Sequence, residues 1–304
     1  MRPIQGVHTA LITPFHPDET VDKEGLRQNV CFQLEHAIDG LVILGTTGES
    51  PTLAAAEKEE IVRIVSEENR GRALLAIGTG SYSTAQTIEN TLWAQDCGAD
   101  YALVVTPYYN KPTQEGLYRH FKALSKAVMI PLLIYNIAGR TGQNLQTDTL
   151  KRLADCPNII GIKEASGSIP QMMDVLEIQQ KQRPDFRVMC GDDLLTAPLM
   201  MLGGHGIISV VSNLLPQAIK ELVQALECGN YDEARKRHFE LMPLFKAAFI
   251  ETNPAPLKHA MELWGMPAGK CRLPLCELTE ENANKLETVL GLYETVNHFV
   301  AQRH

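Results

Sequence analysis

The chain has 304 residues, of which 44% are hydrophobic and 21% are charged, and its net charge is −8. This length suits one large domain or two smaller ones, and the composition is typical of a soluble globular protein. The acidic balance, without a run of Lys and Arg, argues against a nucleic-acid partner. The apolar runs are too short for a signal-peptide core or a membrane span, so we also expect no membrane partner.

Seven cysteines are scattered along the sequence without a C-x-x-C pair. An odd, dispersed set is typical of free thiols in a reducing compartment, and the spacing does not favour a zinc site. We therefore expect a cytoplasmic protein with no structural metal.

Short apolar segments alternate with amphipathic segments from the N-terminus onward. Eight strands are predicted, at Gly6–Thr13, Gly40–Gly45, Ala73–Gly78, Tyr101–Thr106, Pro131–Asn136, Ile159–Ala165, Arg187–Cys190 and Gly206–Val211. The segments between them predict helices at Asp22–Ile38, Ala54–Asn69, Ser83–Cys97, Gln114–Val128, Thr147–Ala154, Ile169–Gln182 and Asp193–Leu202. Ser83 and Thr147 are predicted to cap two of these helices.

Apolar strands that alternate with helices indicate a parallel sheet covered on both faces. Eight such repeats within about 210 residues favour an α/β fold of the (β/α)₈ TIM-barrel type. An open doubly wound sheet is the alternative, but no G-x-G-x-x-G follows the first strand. Gly78-Thr79-Gly80, after the third strand, lacks the final glycine.

The strand pattern stops after Pro216, and the rest of the chain predicts helices. These are placed at Ala218–Cys228, Tyr231–Phe249, Pro256–Gly265 and Thr279–Val300. We therefore expect a catalytic barrel domain over residues 1–224 and a C-terminal helical domain over residues 225–304.

Lys163 stands out because it lies inside a predicted apolar strand, Ile159–Ala165. A buried ammonium group is costly unless it is paired or neutral, and burial lowers the pKa of lysine. A lysine of lowered pKa is a nucleophile toward carbonyl groups. The alternative is a structural lysine at a strand end whose amine reaches solvent.

Polar residues follow several other predicted strands at the end where barrel enzymes place their sites. Thr46 and Thr47 lie between glycines after strand two, and their hydroxyls suit a small carboxylate. Tyr135 ends strand five, and Arg140 follows in a Gly-flanked loop where its guanidinium can bind a carboxylate.

Two further segments on the same predicted rim are less specific. Tyr108 and Tyr109 stand between prolines after strand four, where core packing is an equally good interpretation. Asp192 and Asp193 follow strand seven, where capping of the next helix is the favoured interpretation.

Aldol chemistry suits the set of side chains predicted on this rim: a lysine, a strand-end tyrosine, a pair of threonines and an arginine. The lysine forms an imine with a 2-oxo acid, the hydroxyl groups move protons, and the arginine holds a second acid. The sequence lacks a metal-ligand cluster of the kind that a metal-dependent aldolase needs.

Six motifs together resemble the dihydrodipicolinate synthase (4-hydroxy-tetrahydrodipicolinate synthase) branch of the pyruvate-dependent class I aldolase family. The similarity extends from about Gly6 to Asn253-Pro254, and more loosely to the end. The motifs are Gly45-Thr46-Thr47-Gly48-Glu49, Tyr108-Tyr109-Asn110, Tyr135-Asn136, Gly139-Arg140-Thr141-Gly142, Gly161-Ile162-Lys163-Glu164-Ala165 and Gly203-Gly204-His205-Gly206.

The resemblance implies a role for each matching residue. Lys163 would form the Schiff base with pyruvate, Tyr135 would donate and accept protons, and Arg140 would bind the carboxylate of aspartate 4-semialdehyde. Thr46 and Tyr109 would complete the proton relay, with Tyr109 reaching a neighbouring subunit. Substrate would also contact Thr47, Gly191 and the backbone of Ile208.

The resemblance further implies a homotetramer built as a dimer of dimers, no cofactor, and the first committed step of diaminopimelate and lysine biosynthesis. N-acetylneuraminate lyase, or another 2-oxo acid aldolase, is the alternative within the family. Arg140 and Thr47 favour the synthase, because the second substrate of the lyase is a sugar. A non-catalytic barrel is the alternative outside the enzymes.

Relatives often bind lysine at the tight-dimer interface, near the segments that begin at Ser50 and Gly80. Ser50 and Tyr108 match the lysine-sensitive pattern. Four positions depart from it, with Ala55 and Lys58 where histidine is frequent, and Tyr82 and Gln86 where asparagine and glutamate are frequent.

We predict weak or absent inhibition by lysine. The ammonium group of an effector needs acceptors, and here Gln86 offers a neutral one while Lys58 adds a like charge. Steady-state rates measured across a lysine titration check this. Half-inhibition well below a millimolar would contradict it.

Overall fold

The computed structural model describes residues 2–296, in which eight parallel strands form a closed barrel in the order of the sequence. The strands are β1 (Gly6–Ala10), β2 (Gly40–Ile43), β3 (Leu74–Gly78), β4 (Tyr101–Val105), β5 (Leu132–Asn136), β6 (Ile159–Glu164), β7 (Arg187–Cys190) and β8 (Gly206–Ser209). The predicted (β/α)₈ fold is therefore confirmed, and the open sheet is wrong.

Helices connect the strands and continue beyond the last one. They are α1 (Lys23–Glu35), α2 (Ala55–Asn69), α3 (Thr84–Asp96), α4 (Gln114–Ala127), α5 (Ala138–Thr141), α6 (Thr147–Ala154), α7 (Ile169–Lys181), α8 (Thr196–Met201), α9 (Pro216–Glu227), α10 (Tyr231–Ala247), α11 (Ala255–Leu263) and α12 (Glu280–Leu290). Short 3₁₀ segments occupy Ser50–Thr52, Asp193–Leu195, Val211–Asn213 and Gly291–Val296.

The helices bury apolar residues at the spacing that predicts a helix from the sequence. In α4, Leu117, Phe121 and Leu124 recur at helical spacing and are fully buried, which is the apolar stripe of a helix packed on a core. Thr113 caps this helix by accepting a hydrogen bond from the Gly116 N–H. The strands, in contrast, are buried along nearly their whole length, as expected for a parallel sheet.

Several predicted boundaries differ from the observed ones. Strand β1 ends at Ala10 rather than Thr13, although Leu11 and Ile12 are still buried, because the apolar pattern continues after the strand pairing ends. Ser83 caps α3 as predicted, but Thr147 does not cap α6, since Gln146 holds that position. The last predicted helix stops at Leu290, and residues 297–300 of that prediction lie outside the described residues.

The chain divides into two compact units. The first unit comprises the residues up to Gly6 and Leu74–Ile208, and the second comprises Val7–Ala73 and the residues from Ser209 onward. The predicted domain boundary at residue 224 stays a prediction. Within residues 2–296, the structure contains no helix that combines the length and the apolar character needed to span a membrane.

Candidate active site

Lys163 lies in β6 of the first unit, and its side chain is only 5% exposed. The pKa of Lys163 is lowered to about 8, chiefly because burial disfavours the ammonium group, and the positive charge of Arg140 acts in the same direction. Asp193 and Cys190 act in the opposite direction. Roughly a tenth of the amine is therefore neutral, and nucleophilic, at pH 7, far more than for an ordinary lysine.

Tyr135 lies beside Lys163 on the neighbouring strand. The two residues are paired in the register of β5 and β6, and the Lys163 Nζ is 4.2 Å from the centre of the Tyr135 ring. The Tyr135 side chain is 6% exposed. The Lys163 amine thus lies over the Tyr135 ring, and both side chains are shielded from water.

Arg140 follows β5 on the short helix α5 rather than in the predicted loop. Gly142 ends this helix in the left-handed region, with φ 67°, where glycine carries no steric penalty. The Thr141 hydroxyl donates to the Gln143 carbonyl at 2.8 Å and lies 3.5 Å from the Thr106 hydroxyl. These contacts fix the segment, and the Arg140 side chain is exposed.

The Gly191-Asp192-Asp193 segment after β7 contains one residue that the sequence analysis underestimated. Asp192 has the predicted capping role, since its carboxylate accepts from the Leu194 N–H at 3.0 Å. Asp193 does not have that role: it is 1% exposed, and its charge raises the pKa of Lys163. The sequence does show that both aspartates follow a barrel strand, where site residues are expected. It does not show which of the two adjacent aspartates caps the helix and which is buried near Lys163.

Gly191 lies against the candidate nucleophile. A Cβ atom added there would be 2.9 Å from the Lys163 Cε and 2.8 Å from the Ala165 Cβ, too close for either atom to stay in place. The absence of a side chain at Gly191 therefore makes the room that Lys163 occupies. Ile208, the other predicted substrate contact in this unit, lies in β8 with its side chain fully buried.

Two of the predicted effector-site residues in the first unit, Tyr82 and Tyr108, are in contact with each other. The Tyr82 and Tyr108 rings pack edge to face, with centres 5.5 Å apart, and the Asn110 amide donates to the Tyr82 carbonyl at 2.9 Å. Tyr109 has a left-handed backbone, with φ 68°, and its side chain is 87% exposed. The Gln86 amide donates to Glu89 and Asn90 on its own helix.

Thr46, Thr47 and Ser50 belong to the second unit, in the turn after β2. The Glu49 N–H donates to the Thr46 carbonyl at 3.1 Å and closes the turn. The Thr47 side chain is buried, and its hydroxyl oxygen accepts from the Asn253 amide at 3.0 Å. Ser50 begins the 3₁₀ segment that follows.

An ion pair that the sequence analysis missed holds this turn in place. The Glu49 carboxylate is 2.6 Å from the Lys258 amine, with both side chains at least 98% buried. The other carboxylate oxygen accepts from the Arg272 N–H at 3.0 Å. The sequence places Glu49 in a motif but does not show that it meets Lys258, 209 positions later.

The structure thus brings Lys163, Tyr135, Arg140 and Gly191 together in the first unit and adds Asp193 to them. Within residues 2–296, no group of three or more His, Cys, Asp or Glu side chains could hold a metal ion. The seven cysteines are free thiols, as predicted.

Comparison with known proteins agrees with this geometry. A family model described as the dihydrodipicolinate synthetase family matches residues 3–292. The chain belongs to this family. The resemblance inferred from six motifs is therefore confirmed over nearly the whole chain.

Members of the family are similar to this chain along their full length. The 4-hydroxy-tetrahydrodipicolinate synthase of Protochlamydia amoebophila is 56% identical over 95% of this chain and 96% of the relative. The dihydrodipicolinate synthase structure from Thermotoga maritima has a TM-score of 0.93 at 42% identity, covering 96% and 100% of the two chains. The chloride-inhibited synthase of Acinetobacter baumannii, complexed with pyruvate, has a TM-score of 0.92 at 39% identity, covering 95% and 98%.

Replacement of Asp193 tests the electrostatic effect of its carboxylate on Lys163. In Asp193→Asn, we expect the pKa of Lys163 to fall below its value of about 8, because the carboxylate that favours the ammonium form is removed. The pH midpoint of pyruvate-dependent borohydride trapping on Lys163 should therefore move to lower pH. Asp192→Asn is the matched control, and an equal shift in both variants would contradict the assignment.

Replacement of Gly191 tests the space around Lys163. In Gly191→Ala, the added methyl group must displace the lysine side chain, and we expect the trapping rate to fall by about tenfold or more. Gly291→Ala is the control, because a Cβ atom there meets nothing within 4 Å. A folded Gly191→Ala protein that traps pyruvate at the parental rate would show that Lys163 does not need this space.

Proposed function

We propose that this protein is a lyase that condenses pyruvate with L-aspartate 4-semialdehyde, the activity of a 4-hydroxy-tetrahydrodipicolinate synthase. The observation that carries the proposal is the buried amine of Lys163, with a pKa of about 8, next to the Tyr135 ring. The 56% identity to the Protochlamydia synthase supports the choice of reaction.

The reaction begins with attack of the neutral Lys163 amine on C2 of pyruvate. Loss of water leaves a C=N bond, and the imine withdraws electrons so that C3 gives up a proton and forms an enamine. The enamine carbon then bonds to the aldehyde carbon of the semialdehyde. The amino group of that substrate closes the ring at C2 and releases Lys163, so that no external oxidant or reductant is consumed.

Tyr135 is the proposed donor and acceptor of the protons in these steps, since its ring lies against the lysine amine. Arg140 is proposed to bind the carboxylate of the semialdehyde with its guanidinium group. Thr46 and Tyr109 are proposed to extend the proton relay. Thr47, Gly191 and the backbone of Ile208 are proposed to contact pyruvate.

We further propose that the protein works in the cytoplasm as a homotetramer built from two dimers. The exposed Tyr109, held in a left-handed conformation, suits a residue that reaches a neighbouring subunit. The free cysteines suit a reducing compartment. Ser50, Tyr82, Gln86 and Tyr108 are proposed to form a degenerate effector site with weak or absent response to lysine.

The alternative reaction is that of an N-acetylneuraminate lyase or another 2-oxo acid aldolase, which shares the imine chemistry. Arg140 separates the two proposals, because a sugar aldehyde carries no carboxylate for a guanidinium group to bind. A non-catalytic barrel is disfavoured by the buried, partly neutral lysine, which costs stability and needs a reason.

The first experiment is borohydride reduction in the presence of pyruvate, followed by mass spectrometry of the intact protein and its peptides. We expect a pyruvate-sized adduct on Lys163 and none in Lys163→Met, which should still fold because methionine suits a buried site. Absence of the adduct from the folded parent protein would reject the imine chemistry.

Arg140→Ala then separates the synthase from the other aldolases. We expect Lys163 still to trap pyruvate, with the pH midpoint of trapping moved to higher pH because the charge of Arg140 no longer lowers the pKa of Lys163. Condensation with aspartate 4-semialdehyde should fall by about a hundredfold, since the carboxylate loses its partner. Arg152→Ala, an exposed arginine paired with Glu115, is the matched control. Unchanged turnover in Arg140→Ala would remove the reason for choosing the synthase.

A further inference from the structure

Behind the proposed catalytic pair lies a second pair of side chains, Asn136 and Glu164. Each follows a proposed catalytic residue in sequence: Asn136 follows Tyr135, and Glu164 follows Lys163. Both are fully buried, and they are paired in the register of β5 and β6. The Asn136 amide donates to the Glu164 carboxylate at 3.2 Å.

The two pairs face opposite sides of the barrel wall. Successive side chains along a strand alternate in direction, so Asn136 and Glu164 point away from the side occupied by Tyr135 and Lys163. A slip of one residue between the strands would exchange the two sides. The amide–carboxylate bond therefore joins the two strands in the register that places the Tyr135 ring against the Lys163 amine.

The pair is the centre of a larger polar network on that outer side. The Asn136 amide also donates to the Asn144 side chain at 2.9 Å, and the Asn136 oxygen accepts from the Leu145 N–H at 2.9 Å. From α7, the Gln171 amide donates to Asn144 at 3.2 Å and to Glu164 at 3.4 Å. The network thus ties both strands to the segment that leaves α5, the helix that carries Arg140.

The Glu164 carboxylate is held by neutral donors. Besides Asn136 and Gln171, it accepts from the Ser166 N–H at 2.6 Å. Burial of a carboxylate among amides is expensive compared with an apolar pair, whereas a fully bonded buried network specifies one arrangement of its elements. The free-energy cost of burying this carboxylate has a reason if the network holds Tyr135 and Lys163 in place on the other side of the strands.

We propose that Asn136 and Glu164 are positioning residues that hold Tyr135, Lys163 and the Arg140 segment in reactive geometry from the outer side of the barrel wall. This inference rests on the proposed imine chemistry of Lys163. The role proposed for Glu164 is one of placement, because its side chain points to the side of the strand opposite the Lys163 amine.

A polarity reversal tests the proposal. Asn136→Asp sets two carboxylates against each other, whereas Asn136→Asp combined with Glu164→Gln restores an amide–carboxylate bond with donor and acceptor exchanged. The measured quantity is the plateau rate of pyruvate trapping at high pH, where Lys163 is neutral in every variant. We expect the plateau to fall at least about tenfold in the single variant and to return to within about threefold of the parent in the double variant.

The controls separate placement from general stability. Thermal unfolding by circular dichroism establishes that each variant is folded at the assay temperature, and Gln182→Ala, an exposed amide at the end of α7, should keep the parental plateau. If the single variant does not fold, the plateau trapping rate of the double variant is compared with that of the parent. A double variant that is unfolded, or whose plateau is about tenfold lower, overturns the proposal.

Two further results have distinct meanings. A folded Asn136→Asp protein with a parental plateau overturns the positioning role and leaves the proposed function intact. A folded parent protein without an adduct rejects the proposed function itself, and the positioning role with it.

Discussion

The burial of one amine is the constraint on which the site depends. Moving the pKa of Lys163 from 10.5 to about 8 corresponds to about 3 kcal/mol of preference for the neutral form. That cost falls on folding while the lysine is protonated, so it is complete below about pH 8 and disappears as the pH rises toward 10.5. The rest of the fold must offset this free energy, and the result is a lysine whose amine can act as a nucleophile.

Two buried lysines in this chain show how the environment decides the outcome. Burial lowers the pKa of Lys258 as well, but its amine lies 2.6 Å from the Glu49 carboxylate and above the Phe15 ring. This pairing favours the ammonium form and makes Lys258 an anchor for the turn that carries Thr46 and Thr47. Lys163 also lies over an aromatic ring, that of Tyr135, but Asp193 only partly offsets the effect of burial.

Both sides of the β5 and β6 strand ends contribute to this arrangement. Alternation along a strand lets adjacent residues serve different purposes, with Tyr135 and Lys163 on one side and Asn136 and Glu164 on the other. The outer side is bonded to α7 and to the segment after α5. The barrel wall therefore links the proposed chemistry to α7 and to the segment after α5.

The sequence by itself determined the fold class, because eight buried strands alternating with amphipathic helices leave few other architectures. It also pointed to Lys163, Tyr135 and Arg140, since a lysine in an apolar strand and polar residues at strand ends are local signals. Tertiary structure alone decided which of Asp192 and Asp193 caps a helix and which acts on Lys163. It alone joined Glu49 to Lys258 and Glu164 to Asn136, because contacts between distant segments follow from packing and not from spacing along the chain.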